Sequence, residues 1–374
     1  MKKQIGMMAL AMSAMLFFGP QAEADSPNTE AGNHRDDVEA GPIYGDTAAP
    51  GKCPQTCSNN SRYWTGHWRT TVKNEMSVCR CATPPFKHLV IDAGSSGTRF
   101  LLYNVERGPR GCQVSLSSDL SPNKGPIEEE GLAEMDVNEA EKMLKAKLEE
   151  LGEPLTRVVL LGTGGFRQKG VLGSEKMQEL SGRLAQRIDH MAIISGDTEG
   201  MLAWKATKST MNLPVQPFSI LEIGGVSVQF ATGSMDSDFT SISDEVGFNV
   251  IAKKMKNCLE NEDPFTNCEA AISRRLKDSR LLEVGGRFPE GKPRPVYMIG
   301  PESAKLFNKK AKLRPADLAK MGKGTCRQEK DRKCLGMAHL SAVMKALKVE
   351  SIQKGAESWA EGAAVNSEYF PNCK

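Results

Sequence analysis

Two apolar runs in this chain each carry a carboxylate into a glycine-rich turn. The first reads Leu89-Val90-Ile91-Asp92-Ala93-Gly94-Ser95-Ser96-Gly97-Thr98-Arg99. The second reads Ile220-Leu221-Glu222-Ile223-Gly224-Gly225-Val226-Ser227-Val228-Gln229. Small residues let a backbone approach a ligand closely, and successive N–H groups in such a turn converge on one anion. Two turns of this kind predict a polyphosphate gripped from both sides, with a divalent cation between the carboxylates.

Each turn needs flanking strands to hold it. His88 to Asp92 reads as a strand with Arg99 to Val105 as its hairpin partner, and Ser219 to Ile223 with Ser227 to Ala231 repeats the unit. This echo predicts two lobes of similar build facing a cleft. Val137, Ala140, Met143, Leu144, Leu148 and Leu151 recur at helical spacing behind Asp136 as N-cap, with Gly152 just beyond. Further strands are expected at 157–161, 191–194 and 296–299, and further helices at 174–189, 336–347 and 356–365.

The first residues read as a secretory leader. Lys2 and Lys3 precede an apolar run, Ile5 to Phe18, that is too short to span a bilayer, and Ala22-Glu23-Ala24 is an A-x-A cleavage pattern. Cleavage there leaves a mature chain with no transmembrane anchor, secreted or periplasmic. The ten cysteines include no C-x-x-C pair and read as disulfides of an oxidising compartment. Cys53, Cys57, Cys79 and Cys81 bracket one short segment, and Cys258 with Cys268 and Cys326 with Cys334 look like local loops, leaving Cys112 and Cys373; the sequence leaves the connectivity open. A formal charge of +3 on 374 residues argues against nucleic acid as the main partner.

Asp92 to Arg99 is also the first of five ordered motifs. Gly162-Thr163-Gly164-Gly165-Phe166-Arg167 is the second, and Ser195-Gly196-Asp197-Thr198-Glu199-Gly200, with Trp204 downstream, the third. Gly224 to Gln229 and Trp359-Ala360-Glu361-Gly362-Ala363 complete the set. In this order they resemble the apyrase family, the nucleoside triphosphate diphosphohydrolases, from about Phe86 to the C-terminus. The resemblance implies Glu199 as general base. Thr163, Ser227 and Gln229 suit positioning of the attacking water and one phosphate oxygen; turn capping is their competing role. Gly94, Ser95, Ser96, Gly97 and Thr98 would cradle one phosphate, and Gly224, Gly225, Val226 and Ser227 the next. Arg99 and Arg167 either neutralise phosphate charge or form structural pairs with carboxylates. Asp92 would hold Mg²⁺ or Ca²⁺ through waters. Glu222 stands where the family has Asp; it moves the charge by about 1.5 Å and can still hold a metal-bound water. Thr198 also departs from the pattern, and no role is carried onto it.

Upstream, Ala40-Gly41-Pro42-Ile43-Tyr44, Trp64-Thr65-Gly66-His67-Trp68 and Met76-Ser77-Val78 resemble the cyanobacterial mannan-binding lectin family, with Tyr44 and His67 replacing a tryptophan and a glutamine. Aromatic faces with nearby polar groups suit sugars, so Tyr44, Trp64, Thr65, Gly66, His67 and Trp68 are candidate glycan contacts. Alternatively the tryptophans are the core of a disulfide-stapled mini-domain.

The expected fold is α/β, an actin-like, RNase H-like two-lobed ATPase fold with a small disulfide-rich α+β lectin-like module. The expected order is leader 1–24, linker 25–38, module 39–82, first lobe 86–194, second lobe 195–355 and a C-terminal return to the first lobe over 356–374. The expected activity is removal of terminal phosphates from nucleoside tri- or diphosphates. The alternatives are an exopolyphosphatase-like phosphatase, or a glycan-binding protein with an inactive large domain. Arg99 and Gln229 favour the apyrase side of the first choice.

Overall fold

The computed structural model describes residues 37–373 apart from 95–96, 109–110, 118–126, 130, 152–154, 212, 214–215, 235–237, 261, 286–293, 301–305, 308–310 and 329–331. The expected leader, nearly all of the expected linker, Gly152, Ser95 and Ser96 lie outside the described residues.

The chain opens with a three-stranded antiparallel sheet in the order β1 (Asp37–Gly41), β3 (Met76–Ala82), β2 (Tyr63–Val72). Asp37 and Val38 therefore belong to a strand, which corrects the expected linker boundary. Val38 pairs with Cys79, and Arg69 Nη2 lies 3.0 Å from Asp37 Oδ2. Helix α1 (Ala49–Ser58) covers this sheet. Residues four apart share a helix face and residues two apart share a strand face. Cys53 and Cys57 accordingly meet Cys79 and Cys81 in two parallel disulfides. A core this small, built on Ile43, Ala49 and the half-cystines, needs such staples.

Two larger sheets follow. The first has the order β6 (Gly111–Leu116), β5 (Thr98–Gly108), β4 (Phe86–Ala93), β8 (Arg157–Gly162), β9 (His190–Ile193), with β7 (Ile127–Glu129) paired to β5. The second has the order β12 (Thr240–Asp244), β11 (Val228–Gly233), β10 (Phe218–Ile223), β13 (Val296–Ile299), β15 (Ile352–Lys354), β14 (Lys312–Leu313). Leaving out β7 and β14, each sheet runs third-second-first-fourth-fifth. In each, the first strand is antiparallel to the second and parallel to the fourth. The echo seen in the sequence is a duplicated sheet.

Helix α2 (Val137–Leu151) occupies its expected range, and Asp136 Oδ1 accepts from Asn138 N and Glu139 N. The short α3 (Gly164–Gln168) follows β8 directly. Helix α4 (Val171–Leu184) starts and ends earlier than expected, entering from Gly170 at φ +57°. Helix α5 (Gly196–Thr210) leaves β9 with Ser195 as N-cap, its hydroxyl accepting from Thr198 N.

Between the two sheets lies a shared core. Phe86, Val90, Leu101 and Tyr103 of the first sheet meet Phe218, Ile220, Ala231 and Tyr297 of the second. Leu202, Ala203 and Trp204 of α5 and Trp359, Ala360 and Ala363 of the helix Trp359–Ala364 fill the space between. Downstream of that helix, Phe370 stacks on His88 at 4.0 Å and Cys373 is bonded to Cys112. Cys258–Cys268 and Cys326–Cys334 close the two local loops, so all ten cysteines are paired.

Candidate active site at the facing hairpins

The β4–β5 and β10–β11 turns close in the same way. Gly94 N donates to Gly97 O at 2.9 Å, and Gly224 N donates to Ser227 O at 2.9 Å. In the first hairpin Asp92 stands opposite Arg99; in the second Glu222 stands opposite Gln229. The two loops approach across the lobes through α3. A Cβ on Gly164 would lie 2.7 Å from Val226 Cβ, so glycine there permits the contact.

β8 delivers Thr163, whose N–H donates to Ala93 O at 3.1 Å and whose hydroxyl lies 3.4 Å from the same oxygen. One turn of α3 later stands Arg167. It donates to Glu199 Oε2 at 3.2 Å, Ser227 Oγ at 3.1 Å and Ile194 O at 2.9 Å. Arg167 thus joins the base candidate on α5 to the second glycine turn. Gln229 Nε2 donates to the same Ser227 hydroxyl at 2.6 Å. Two donors on one hydroxyl oxygen leave its hydrogen as the group that can point to a ligand.

Arg99 pairs with Asp92, so both arginines make the carboxylate contacts that were the structural alternative to phosphate binding. Thr98 is buried, and its Oγ1 accepts from Leu132 N at 3.0 Å, tying the first turn to the segment after β7. Gly200 and Gly196 bring α5 close to β11 and β12: added Cβ atoms would lie 3.2 Å from Gln229 Cβ and 2.0 Å from Ser243 Oγ. Sequence reasoning missed this serine edge of β12, because only the fold places it there. Trp204 is fully buried and stacks on Phe218 at 4.9 Å.

Three carboxylates share this low-dielectric space. Burial raises Glu199 to about 7, helped by Asp92 and opposed by Arg167. Burial also raises Glu222, with Glu199 and Asp92 adding to the effect. Asp92 is raised by burial against the pull of Arg99. Glu222 Oε2 and Gln229 Oε1 are buried without a hydrogen-bond partner among the described residues. Buried polar atoms need partners, and these are oxygens beside surplus negative charge. An oxygen-only donor set of this kind fits a hard cation. Among the described residues no three acidic, histidine or cysteine side chains converge closely enough to hold a metal alone. A cation here would keep waters and take oxygens from the ligand, as Mg²⁺ commonly does.

The module's candidate sugar residues divide into two groups. Tyr44 is 69% exposed, and Trp68 Nε1 donates to Asp46 Oδ1 at 2.9 Å. Trp64 Nε1 donates to His67 O at 2.9 Å and Thr65 is buried. Thr65, Gly66 and His67 face the first lobe, meeting Arg157, Pro371 and Asp189.

Among the described residues no helix is long and apolar enough to cross a membrane. No curated protein matches the sequence. Residues 46–81 match the model of a mannan-binding protein family. The Ppx/GppA family member of Aquifex aeolicus is similar in structure at TM-score 0.56 and 15% identity, over 75% of this chain and 96% of that one. An exopolyphosphatase from Cytophaga hutchinsonii is similar at TM-score 0.53 and 14% identity, over 74% of this chain and 96% of that one. Nucleoside triphosphate hydrolases from Neospora caninum align at TM-score 0.45 and 13% identity, over 74% and 91%. The chain thus has the actin-like, RNase H-like two-lobed α/β fold, preceded by a disulfide-rich module that matches the mannan-binding family.

Proposed function

We propose that the two-lobed body is a metal-dependent phosphoanhydride hydrolase acting on nucleoside tri- and diphosphates. The observation that carries this reading is Arg167 joining Glu199 to Ser227 of the second glycine turn, with Thr163 of the same β8–α3 segment bonded to Ala93 at the first. In-line hydrolysis needs an oriented water, a base and neutralisation of phosphoryl charge. Glu199, with its affinity for a proton raised by burial, takes the proton from the attacking water. Gln229 Oε1 orients that water, and the Ser227 and Thr163 hydroxyls donate to phosphoryl oxygens. Backbone N–H groups of the two glycine turns, other than those of Gly94 and Gly224 that close them, cradle the two phosphates. Arg99 and Arg167 stand beside them and add positive charge. Asp92 and Glu222 hold Mg²⁺ or Ca²⁺ through waters. The cation, when bound, supplies charge neutralisation on the phosphoryl oxygens.

The module, in this reading, binds mannose-type glycans and holds the enzyme near sugar-coated surfaces, raising its local concentration. Five disulfides support export to an oxidising compartment, secreted or periplasmic. The remaining segments follow the same reading: leader 1–24, first lobe 86–194, second lobe 195–355 and return 356–374.

The test is phosphate release by the purified mature chain from ATP, ADP, GDP and polyphosphate, with and without EDTA. Turnover of nucleotides that EDTA abolishes is expected. Turnover of polyphosphate alone would replace the substrate with that of an exopolyphosphatase, and no turnover of any would leave a glycan-binding protein with a silent body.

A further inference from the structure

Three of the module's six candidate glycan contacts, Thr65, Gly66 and His67, lie against the body of the protein. Arg157 Nη1, at the start of β8, donates to Thr65 O at 3.0 Å. Gly66 has φ +92°, and a Cβ there would lie 2.4 Å from the same Nη1 and 2.8 Å from Pro371 Cγ. His67 Nδ1 stands 3.0 Å from Asp189 Oδ1, and the other Asp189 oxygen accepts from Val158 N at 2.7 Å. Just before this tip, Tyr63 meets Phe86 edge-on at 5.9 Å and carries Arg107 over its ring at 4.6 Å. Each contact draws on a different part of the body: β4, β5, the ends that begin β8 and β9, and the C-terminal turn.

We infer that Thr65-Gly66-His67 is the module's docking element for the first lobe, and that sugar recognition falls to the Tyr44 and Trp68 side alone. The sugar half of this inference rests on the glycan reading proposed above; the docking half does not. A side chain at Gly66 would overlap Arg157, so no sugar ring can enter between them while the lobe is in place. The Thr65 hydroxyl donates inward to Arg80 O at 3.1 Å, and its carbonyl is taken by Arg157. By contrast Tyr44 is 69% exposed, and Asp46 presents a carboxylate beside the Trp68 indole. An aromatic face next to a hydrogen-bonding carboxylate suits a sugar's C–H surface and hydroxyls. Docking at the N-terminal ends of β8 and β9 also places the module away from the site, because Thr163 and Glu199 follow the C-terminal ends of those strands.

The test uses the full mature chain titrated with yeast mannan, alongside thermal unfolding. His67→Ala and Arg157→Ala are expected to lower the melting temperature by several degrees and to leave mannan affinity within about twofold. Tyr44→Ala is expected to weaken mannan binding at least tenfold with an unchanged melting temperature. Loss of mannan binding in His67→Ala as large as that in Tyr44→Ala, at unchanged melting temperature, would overturn the division of roles. If the unmutated chain binds no mannan, the glycan reading and the sugar half fall together. The docking half is then judged by heat alone, and an unchanged melting temperature in both His67→Ala and Arg157→Ala overturns it.

Discussion

Asp92 and Glu222 hold equivalent places in two hairpins of the same build. Each stands two residues before the glycine whose N–H closes the turn, and each faces across its hairpin a residue seven positions later. Their surroundings differ. Arg99 turns back onto Asp92 and neutralises it, whereas Gln229 gives its amide to Ser227 and Glu222 Oε2 has no partner among the described residues. One hairpin keeps its charge paired; the other keeps a carboxylate oxygen and an amide oxygen without a partner among the described residues.

Glu222→Asp tests the longer carboxylate. The shorter side chain withdraws its oxygens by about 1.5 Å, a distance one water can bridge. Turnover is expected to fall by no more than about tenfold, a barrier change near 1.4 kcal/mol. The half-saturating Mg²⁺ concentration should rise. Loss of all activity in a folded Glu222→Asp chain would mean that the oxygen itself, and not a bridged water, contacts the reacting groups.

Glu199→Gln keeps the shape of the base candidate and removes its ability to take a proton. The kcat for ATP should drop by about 10²–10⁴-fold, the usual worth of a positioned base, while nucleotide binding persists. In the unmutated chain the base must be ionised, and burial holds Glu199 at about 7. The kcat/KM profile should therefore rise with pH and level off above about 7, with a tenfold fall per unit below. A profile flat from pH 5 to 8 would remove Glu199 from that role.

Much of this arrangement was legible because the signals were local. Glycine, hydroxyl and carboxylate spacing marks each turn wherever it occurs, and the duplicated hairpin makes two lobes the simplest packing. The cysteine pairs 258–268 and 326–334 are close in sequence and close by simple chain geometry. Helix α1 escaped because half-cystines, not aliphatic residues, form its buried face. The helices Pro264–Arg275 and Pro315–Gln328 each begin at a proline, a residue favoured in a helix's first turn but equally at home in loops. What sequence spacing could not give was the partner of each polar group. The bond from Leu132 to Thr98, the Arg167 bridge and the seating of Gly66 on Arg157 join segments tens of residues apart.

His88 ties the C-terminal return to the first sheet, and its ionisation should loosen that tie. Its Nδ1 lies 2.7 Å from Ala364 O and its Nε2 lies 2.9 Å from Asn372 Nδ2. One ring nitrogen faces an acceptor and the other a donor, which suits only the neutral ring. Burial lowers the group to about 3 in the fold, against 6.5 when unfolded. The folded value is depressed, so this contribution is complete above pH 6.5 and is lost as pH falls towards 3. Each unit of difference corresponds to about 1.4 kcal/mol. Replacing His88 with Gln, which offers a donor and an acceptor but does not titrate, should flatten the fall in melting temperature between pH 6.5 and 4. An unchanged pH dependence in His88→Gln would assign acid sensitivity elsewhere, with buried His339, held at about 4, as the next group to replace.

Gly362 sets how closely the two central helices cross. A Cβ at this position would lie 1.9 Å from Leu202 O and 2.8 Å from Ala206 N, both backbone atoms of α5 that cannot turn aside. Gly362→Ala must therefore push α5 away, and α5 carries Glu199 on its first turn. Overpacking of this kind costs about 1–3 kcal/mol, and a chain of 374 residues moves by roughly 1–1.5 °C per kcal/mol. The melting temperature should fall by up to about 4 °C, and turnover should fall further than the folded fraction does. Gly182→Ala is the matched comparison. Gly182 lies in α4 with nothing within 4 Å of an added Cβ, so alanine there gains helix propensity without a clash. If both variants melt alike and keep full activity, the crossing at Gly362 does not govern the position of the base.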